Sequence, residues 1–364
     1  MTAIGLPAKN LPVRVPADSD IHGFKALDAS GLGRLVAVLG EPAFRTGQIL
    51  RWVYQRGARS YDDMTDVPRA LRERLALEAP LTSLELVTRQ VSATDGTRKY
   101  LWRLHDGITV ESVGLPDGDR LTVCFSTQAG CAMGCAFCAT GSGGLARNLT
   151  PGEMVDQVLL VSADFDTRVT NAVAMGQGEP FANYDATLGA LRLMNSPDGL
   201  CIGARHLTVS TCGLLSGIKR LASEPEQFTL AISLHSAVQE TRDRLMPGVA
   251  GVSLEALRQT VVSYSRRTKR RPTFEYALIE GVNDSEEELD ALVEFCRGML
   301  CHVNLIPANP VSGSGFGRVR PARLSVFKRA LLAAGVETSI RVERGTDIDA
   351  ACGQLSQKSV TAGS

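Results

Sequence analysis

The sequence lacks a long hydrophobic run and an excess of either charge. Among its 364 residues, Lys and Arg total 39 and Asp and Glu total 39, so the formal net charge is zero. Because there is neither an apolar run of membrane-spanning length nor a secretory hydrophobic segment, we expect no membrane association. A neutral chain has no overall attraction for nucleic acid, so such a partner would have to be met by local basic patches.

Cysteine is well represented, with nine residues. In a chain without an export signal, cysteines favour a soluble protein of a reducing compartment, where thiols stay available for metals or catalysis. We therefore predict a cytoplasmic location.

The periodicity divides the chain into five segments. Residues 1–22 predict a loose leader, 23–83 a helical accessory domain, and 84–118 a connection of β-hairpins with Asp-Gly turns at 95 and 106. Residues 119–345 alternate strands with amphipathic helices, and 346–364 form a Gly- and Asp-rich loop and tail. Repeated βα units indicate a parallel sheet, so the predicted fold class is α/β with a barrel-like domain.

Within that domain each unusual motif lies just past the end of a predicted strand. The strands are predicted at 121–126, 171–175, 206–210, 228–233, 273–279, 301–306 and 337–342, and capping boxes at Thr150 and Ser285 mark two helix starts. The motifs are the cysteine loop 131–138, Gly176 to Pro180, Ser210 to Gly213, Ser233 to His235, Pro307 to Pro310, and Arg344 to Asp349 with Cys352. A parallel barrel carries its active site at this end of its strands.

The most informative motif is the run Cys131-Ala-Met-Gly-Cys135-Ala-Phe-Cys138, a C-x3-C-x2-C cluster. Structural zinc takes four closed ligands, usually from two separated pairs, whereas three thiolates on one loop suit an iron–sulfur cube with one iron left for another ligand. A zinc knuckle completed by a distant Cys or His stays open as the alternative.

This spacing, with Phe137 before the last cysteine, resembles the signature of the radical S-adenosylmethionine (SAM) enzymes. Further segments make the chain similar to the RNA adenine-C2 methyltransferases, the RlmN/Cfr group, over residues 41–355. These segments are Cys124 to Cys131, Gly141 to Leu149, Gly178-Glu179-Pro180, Ser233-Leu234-His235 and Asp347 to Gln354. The resemblance implies a partial parallel (β/α) barrel of radical SAM type behind an N-terminal helical accessory domain.

The resemblance also implies a mechanism that uses two SAM molecules. One SAM methylates Cys352. A second, bound to the [4Fe–4S] cluster that Cys131, Cys135 and Cys138 hold, yields a radical that takes hydrogen from this methyl group, and the resulting carbon radical adds to adenine C2. Such a route is needed because adenine C2 is an electrophilic carbon without a lone pair.

Resolution of the resulting RNA–protein adduct needs a base and a thiol. By position in the family motifs, the resemblance makes Glu111 the proton acceptor and Cys124 the thiol that attacks Cys352. The Cys124–Cys352 disulfide formed in this way would be transient, since cellular thiols reduce it.

The same resemblance assigns SAM contacts at the strand ends. The cofactor-binding residues carried over from the family motifs are Gly178, Glu179, Ser210, Ser233, Leu234, His235 and Asn309. Glycine lets the backbone approach a ligand, and the carboxylate can accept a hydrogen bond from the SAM amino group.

The implied partners are an RNA substrate, ribosomal and possibly transfer RNA, and an electron donor such as flavodoxin or ferredoxin. Basic runs at 266–271 and at Arg318, Arg320 and Arg323 are candidate RNA contacts, although a solvated helix end explains the first equally well. Nothing indicates an obligate dimer, so we expect a monomer. Two other functions stay open: methylation of adenine C8 by the same machinery, and a zinc-stabilised RNA-binding protein without catalysis.

Overall fold

The computed structural model describes residues 29–309 and 315–355. The predicted leader 1–22, the start of the accessory segment, Pro310 and the tail beyond residue 355 lie outside these ranges. In the described part, no helix combines the length and the apolar character needed to cross a membrane.

The N-terminal part is helical, as predicted. Its helices are α1 (Ala29–Val38), α2 (Phe44–Leu50), which continues as a π-helical turn at Arg51–Gln55, and α3 (Arg69–Glu78). They pack on one another through buried Leu32, Val36, Ile49, Val53, Leu71 and Leu75. Phe44 is 62% exposed, and its ring lies beneath the Arg45 guanidinium.

A single large sheet follows the helical part. Its strands are β1 (Leu84–Val91), β2 (Arg98–Leu104), β3 (Thr109–Asp117), β4 (Arg120–Cys124), β7 (Asn171–Ala174), β8 (Leu207–Thr211), β9 (Thr229–Ser233), β10 (Thr273–Glu280), β11 (His302–Pro307) and β13 (Glu337–Ile340). They neighbour one another in that order, antiparallel from β1 to β4 and parallel from β4 to β13. The seven predicted strands of the barrel are confirmed.

The hairpin strands β1 to β3 belong to the same sheet as the parallel strands. Through the antiparallel pair Val113↔Cys124, β3 extends the parallel sheet beyond β4. The division of the chain at residues 83, 118 and 345 stays a prediction.

Helices connect the parallel strands. They are α4 (Pro151–Phe165), α5 (Tyr184–Asn195), α6 (Leu215–Leu221), α7 (Gln239–Leu245), α8 (Leu254–Thr268), α9 (Glu286–Cys296) and α10 (Pro321–Ala333). Thr150 forms the predicted capping box at the start of α4, whereas Ser285 caps α9 only through its own side chain, because the Glu288 carboxylate accepts from the Ser236 hydroxyl at 2.7 Å instead. Alternating strands and helices bring all the carboxyl ends of the parallel strands to one edge of the sheet.

A small hairpin, β5 (Gln128–Gly130) with β6 (Leu145–Asn148), carries the cysteine loop at this edge. The loop closes where the Cys131 N–H donates to the Gly144 carbonyl at 2.8 Å. Gly130 has φ +79°, and a Cβ there would lie 2.1 Å from the same carbonyl oxygen, so the closure needs glycine. A last pair of residues, β12 (Gly317–Arg318), adds to the carboxyl end of β10.

Candidate active site

One cavity lies at the carboxyl edge of the parallel strands and gathers most of the predicted site residues. Those that line it are Cys131, Cys135, Cys138, Gly178, Glu179, Ser210, Ser233, His235, Asn309 and Cys352. Met133, Phe137, Cys212, Phe316 and Arg341 line it as well. Residues from the cysteine loop, from five strand ends and from the C-terminal segment therefore share one space.

The backbone of the cysteine loop is fixed on two sides. The Ala136 N–H donates to the Leu245 carbonyl at 2.9 Å, and the Met133 carbonyl accepts from the Gly248 N–H at 2.9 Å. On the other side, the Ala139 N–H donates to the Gly353 carbonyl at 2.7 Å. This last bond joins the cysteine loop directly to the residue after Cys352.

Burial raises the pKa of the cysteine-loop thiols. The pKa of Cys131 rises to about 11, and that of Cys135 rises further because Cys138 and Cys131 add to the effect of burial. Thiols in this environment lose their protons when a bound metal cation supplies the missing positive charge. The donor set, three sulfurs on one loop facing a cavity, fits an iron–sulfur cluster.

Glu179 is a buried carboxylate beneath this loop. Its Oε1 accepts from the Phe181 N–H at 2.9 Å and its Oε2 from the Cys212 N–H at 2.7 Å. Burial raises its pKa, although these two bonds and the Cys212 thiol oppose the rise. Because a carboxylate has about four acceptor positions, Glu179 can still accept from a ligand amino group.

Gly178 allows this arrangement. Its φ is +103°, and a Cβ there would lie 2.6 Å from the Gln128 Cβ. The Gln128 Oε1 accepts from the Glu179 N–H at 2.8 Å. The close approach of Gln128 to Gly178 thus helps to orient Glu179.

His235 lies at the end of β9 with φ +57°. Its Nδ1 accepts from the Ala277 N–H at 2.9 Å, which leaves the neutral ring's proton on Nε2. The ring contacts Phe137 edge-on, with centroids 4.5 Å apart, and burial lowers its pKa to about 3. His235 is therefore a neutral donor at the cavity rather than an acid.

Asn309 connects the C-terminal segment to the cavity. Its Nδ2 donates to the Cys352 carbonyl at 3.2 Å, while its buried Oδ1 has no partner among the described residues. A buried acceptor without a partner is costly unless a ligand satisfies it. An amino group of a bound cofactor would do so, and this fits the predicted SAM contact.

Cys124 ends β4 and lines an adjoining cavity that shares Cys352, Arg341 and Asn309 with the first. Burial raises its pKa to about 12, Cys352 adds to the rise, and Arg341 opposes it. The structure thus brings together the two thiols that the family resemblance pairs.

Glu111 and Leu234 lie outside both cavities. Glu111 is buried on β3, with its carboxylate 3.8 Å from the Lys99 ammonium, and its carbonyl accepts from the Ser126 hydroxyl at 2.6 Å. Lys99 also donates to the Asp349 carbonyl at 3.2 Å, which links Glu111 to the C-terminal segment. Leu234 is fully buried in the main hydrophobic core.

Comparisons with known proteins identify the family to which a site of this kind belongs. Residues 24–81 match the model of the ribosomal RNA large subunit methyltransferase N-terminal domain, and residues 125–293 match that of the radical SAM superfamily. A curated protein of Pelotomaculum thermopropionicum, named probable dual-specificity RNA methyltransferase RlmN, is 46% identical over 344 residues, covering 94% of each chain. A protein of the same name from Gemmatimonas aurantiaca is 48% identical over 89% of each chain.

A solved structure gives the same result. The crystal structure of a radical SAM methyltransferase from Sphaerobacter thermophilus matches with a TM-score of 0.90 and 44% identity, over 93% of this chain and 100% of that one. The chain belongs to the RlmN family of radical SAM methyltransferases. It is therefore an enzyme of the radical SAM fold, with a [4Fe–4S] cluster and SAM as its cofactors.

Sequence reasoning missed two charged residues of this RlmN-family site. Arg341 lines both cavities beside the two thiols, and Lys99 pairs with Glu111. Neither belongs to a recognisable motif. The only available signal for Arg341 was its position near the carboxyl end of the last predicted strand, 337–342.

Proposed function

We propose that this protein methylates C2 of an adenine in ribosomal RNA, and also in transfer RNA, with two SAM molecules per turnover and a methyl group carried on Cys352. The observation that carries the proposal is the shared edge of the sheet on which three cluster thiols, Cys352 and Cys124 meet although they are distant in sequence. Family membership supports RNA as the substrate class.

The cluster residues would be Cys131, Cys135 and Cys138, and the cofactor contacts Gly178, Glu179, Ser210, Ser233, Leu234, His235 and Asn309. When bound, the cluster and SAM supply the one-electron chemistry that an unactivated adenine carbon requires. Leu234, which is buried, could contribute only through its backbone and by holding its neighbours.

Cys352 holds the reacting carbon in place. Its carbonyl is tied to Asn309, and the next residue is tied to the cysteine loop through the Ala139 N–H. These bonds keep the Cys352 side chain facing the cavity in which the cofactor contacts lie. Positioning of this kind accounts for much of the barrier reduction in reactions between two bound groups.

Release of the RNA uses Glu111 and Cys124. Glu111 takes the C2 proton, and the unpaired electron of the adduct would return to the cluster, so that a closed-shell thioether between Cys352 and the RNA remains. The Cys124 thiolate then attacks the Cys352 sulfur, so that a disulfide forms and the bond between this sulfur and the RNA carbon breaks. The electron pair of that bond stays with the carbon, which takes up a proton to become the methyl group, and cellular thiols later reduce the disulfide.

The electron donor is proposed to be a flavodoxin or a ferredoxin, and the enzyme a monomer of the cytoplasm. The free state of all the described cysteines, which lie between Cys124 and Cys352, is compatible with a reducing compartment.

The test is nucleoside mass spectrometry of RNA incubated with anaerobically reconstituted enzyme, SAM and a reductant. We expect 2-methyladenosine. The product 8-methyladenosine, the outcome of the adenine-C8 alternative, would contradict the proposed regiochemistry while leaving the rest of the chemistry intact.

The zinc alternative is disfavoured by family membership, because the radical SAM superfamily model matches residues 125–293 and so spans all three cysteines of the loop. A colourless, zinc-containing protein after anaerobic purification would revive that alternative.

A further inference from the structure

Among the described residues, no side-chain partner explains the position of Arg341 at the end of the last parallel strand. Its N–H continues the sheet by donating to the Leu305 carbonyl at 2.8 Å, while its half-buried side chain lines both cavities. Within the described ranges, its guanidinium makes no hydrogen bond and no ion pair within 4.0 Å. Five donors are thus directed into the space that holds the thiols.

The charges around Arg341 identify what it acts on. Cys352 makes the largest contribution to raising its pKa, and Glu275 and Cys124 also raise it, while burial opposes them. Glu275 is itself held elsewhere, because its Oε2 accepts from the Asn304 Nδ2 at 2.8 Å. The guanidinium therefore lies among two thiols and one carboxylate that is already engaged.

Cys124 has few other groups that could favour its ionised form. Opposite it on β3 is apolar Val113, the next strand offers a backbone contact from Met175, and the C-terminal segment brings the Cys352 sulfur. Arg341 is the cation that favours this ionisation, whereas Arg120 and Arg344, which also line the adjoining cavity, both pair with Asp117. Burial would otherwise leave this thiol almost wholly protonated at neutral pH.

We propose that Arg341 is a positioning residue that stabilises the Cys124 thiolate beside the Cys352 sulfur and so prepares it to release the methylated RNA. When Cys124 ionises, its proton passes to water in the adjoining cavity, and the guanidinium balances the charge left on sulfur. The inference rests on the proposed roles of the two cysteines, but the reactivity of Cys124 can be measured without methyl transfer.

The test measures the alkylation rate of Cys124 by iodoacetamide in the anaerobic holoenzyme, peptide by peptide, between about pH 7 and pH 10. The bound cluster shields its own cysteines. We expect Arg341→Gln to slow alkylation about three- to tenfold at a given pH, since a neighbouring opposite charge lowers a pKa by one or more units and the stronger nucleophilicity of a more basic thiolate offsets part of the loss. Arg341→Lys should stay within about twofold of the unaltered enzyme.

Arg297→Gln is the matched control, because this exposed arginine lies at the end of α9, away from the thiols, and pairs with Glu294 at 3.0 Å. It should leave the Cys124 rate unchanged. If Arg341→Gln fails to bind iron, Arg341→Met keeps the length of the side chain and serves in its place.

Equal rates in the Arg341 variants and the unaltered enzyme would overturn the proposal. So would weaker RNA binding with an unchanged Cys124 rate, because the guanidinium would then serve an RNA phosphate. A failure of RNA methylation alone would count against the proposed function and not against this role of Arg341.

Discussion

The two ends of the parallel strands hold opposite kinds of chemistry. At the carboxyl end, thiols, a neutral histidine and a buried carboxylate share a cavity, and burial governs their pKa values. At the amino end, exposed side chains of Arg205, Arg266, Arg267, Lys269 and Arg271 precede β8 and β10. The eight residues of β10 separate these ends by about 25 Å.

This difference changes the meaning of the two basic runs. The run 266–271 lies at the amino end, whereas Arg318 lies at the carboxyl end because β12 pairs with the last residues of β10. Arg323 is on the same side, bonded to the Asp284 carbonyl at 2.6 Å. RNA whose base enters the cavity would therefore meet the second run first.

Removal of a cluster thiol should have the largest effect. We expect Cys135→Ala to lose both bound iron and all detectable RNA methylation, because two thiolates cannot hold the cluster at its full occupancy. Iron analysis and the visible spectrum measure this. Cys201→Ala, which alters an exposed cysteine, should keep both properties; full iron in Cys135→Ala would reassign the ligands.

Substitutions of Cys352 and Cys124, the two cysteines proposed to react with the RNA, should fail differently. Cys352→Ala and Cys124→Ala should both keep iron and lose product formation. Only Cys124→Ala should accumulate RNA covalently bound to protein, because the adduct forms on Cys352 and cannot be released. Denaturing gels of labelled RNA distinguish them, and an adduct in Cys352→Ala would refute the assigned order.

Gly178→Ala tests the strained turn that presents Glu179. With φ +103° and a new Cβ 2.6 Å from the Gln128 Cβ, the substitution should lower the unfolding free energy by about 2–4 kcal/mol. Urea unfolding measures this. Gly251→Ala is the control, since it has ordinary φ and no atom within 4 Å of its Cβ, and equal losses in both would contradict the argument.

The strands and site residues differ in how well they could be predicted from the sequence. Strands such as β8 and β9 were predictable because each is marked by an apolar run within a few consecutive residues. The cluster cysteines Cys131 to Cys138 were predictable because their spacing also lies within one short stretch of sequence. Arg341 and Lys99 could not be predicted, because the groups beside each of them are brought near by the order of the strands in the sheet. The opposite placement of the two basic runs likewise depends on strand direction, which composition does not encode.

His235, at the carboxyl end of the parallel strands, should make the unfolding free energy of the protein depend on pH. Its folded pKa of about 3 lies below the ordinary 6.5, so the unfolded chain binds the extra proton between these values. The unfolding free energy should therefore fall by about 1.4 kcal/mol for each pH unit below about 6.5, an amount that His235→Gln removes.

The amino end provides the comparison for this pH effect. Burial also lowers the pKa of His302, helped by Arg271, but that ring is only half-buried. Urea unfolding at about pH 7 and about pH 5 gives the loss of unfolding free energy between these two pH values. Compared with the unaltered protein, His302→Gln should change this loss less than His235→Gln does. The reverse order would mean that burial does not control the titration of His235.

Reversal of the charge of two arginines in either basic run should have the smallest effect among these substitutions. We expect Arg318→Glu with Arg320→Glu to weaken RNA binding several-fold and to reduce the salt slope of the binding constant by about one to two. Arg266→Glu with Arg267→Glu, equal in charge change, should have less effect. Fluorescence anisotropy at several salt concentrations measures both, and a larger effect at the amino end would place the RNA there.

The most direct measurement is mass spectrometry of the peptide that contains Cys352, taken from iron-loaded enzyme supplied with SAM. We predict a mass increase of one methyl group on Cys352 and none on Cys124. An unmodified Cys352 in enzyme that methylates RNA would contradict the role given to the carboxyl end of the sheet.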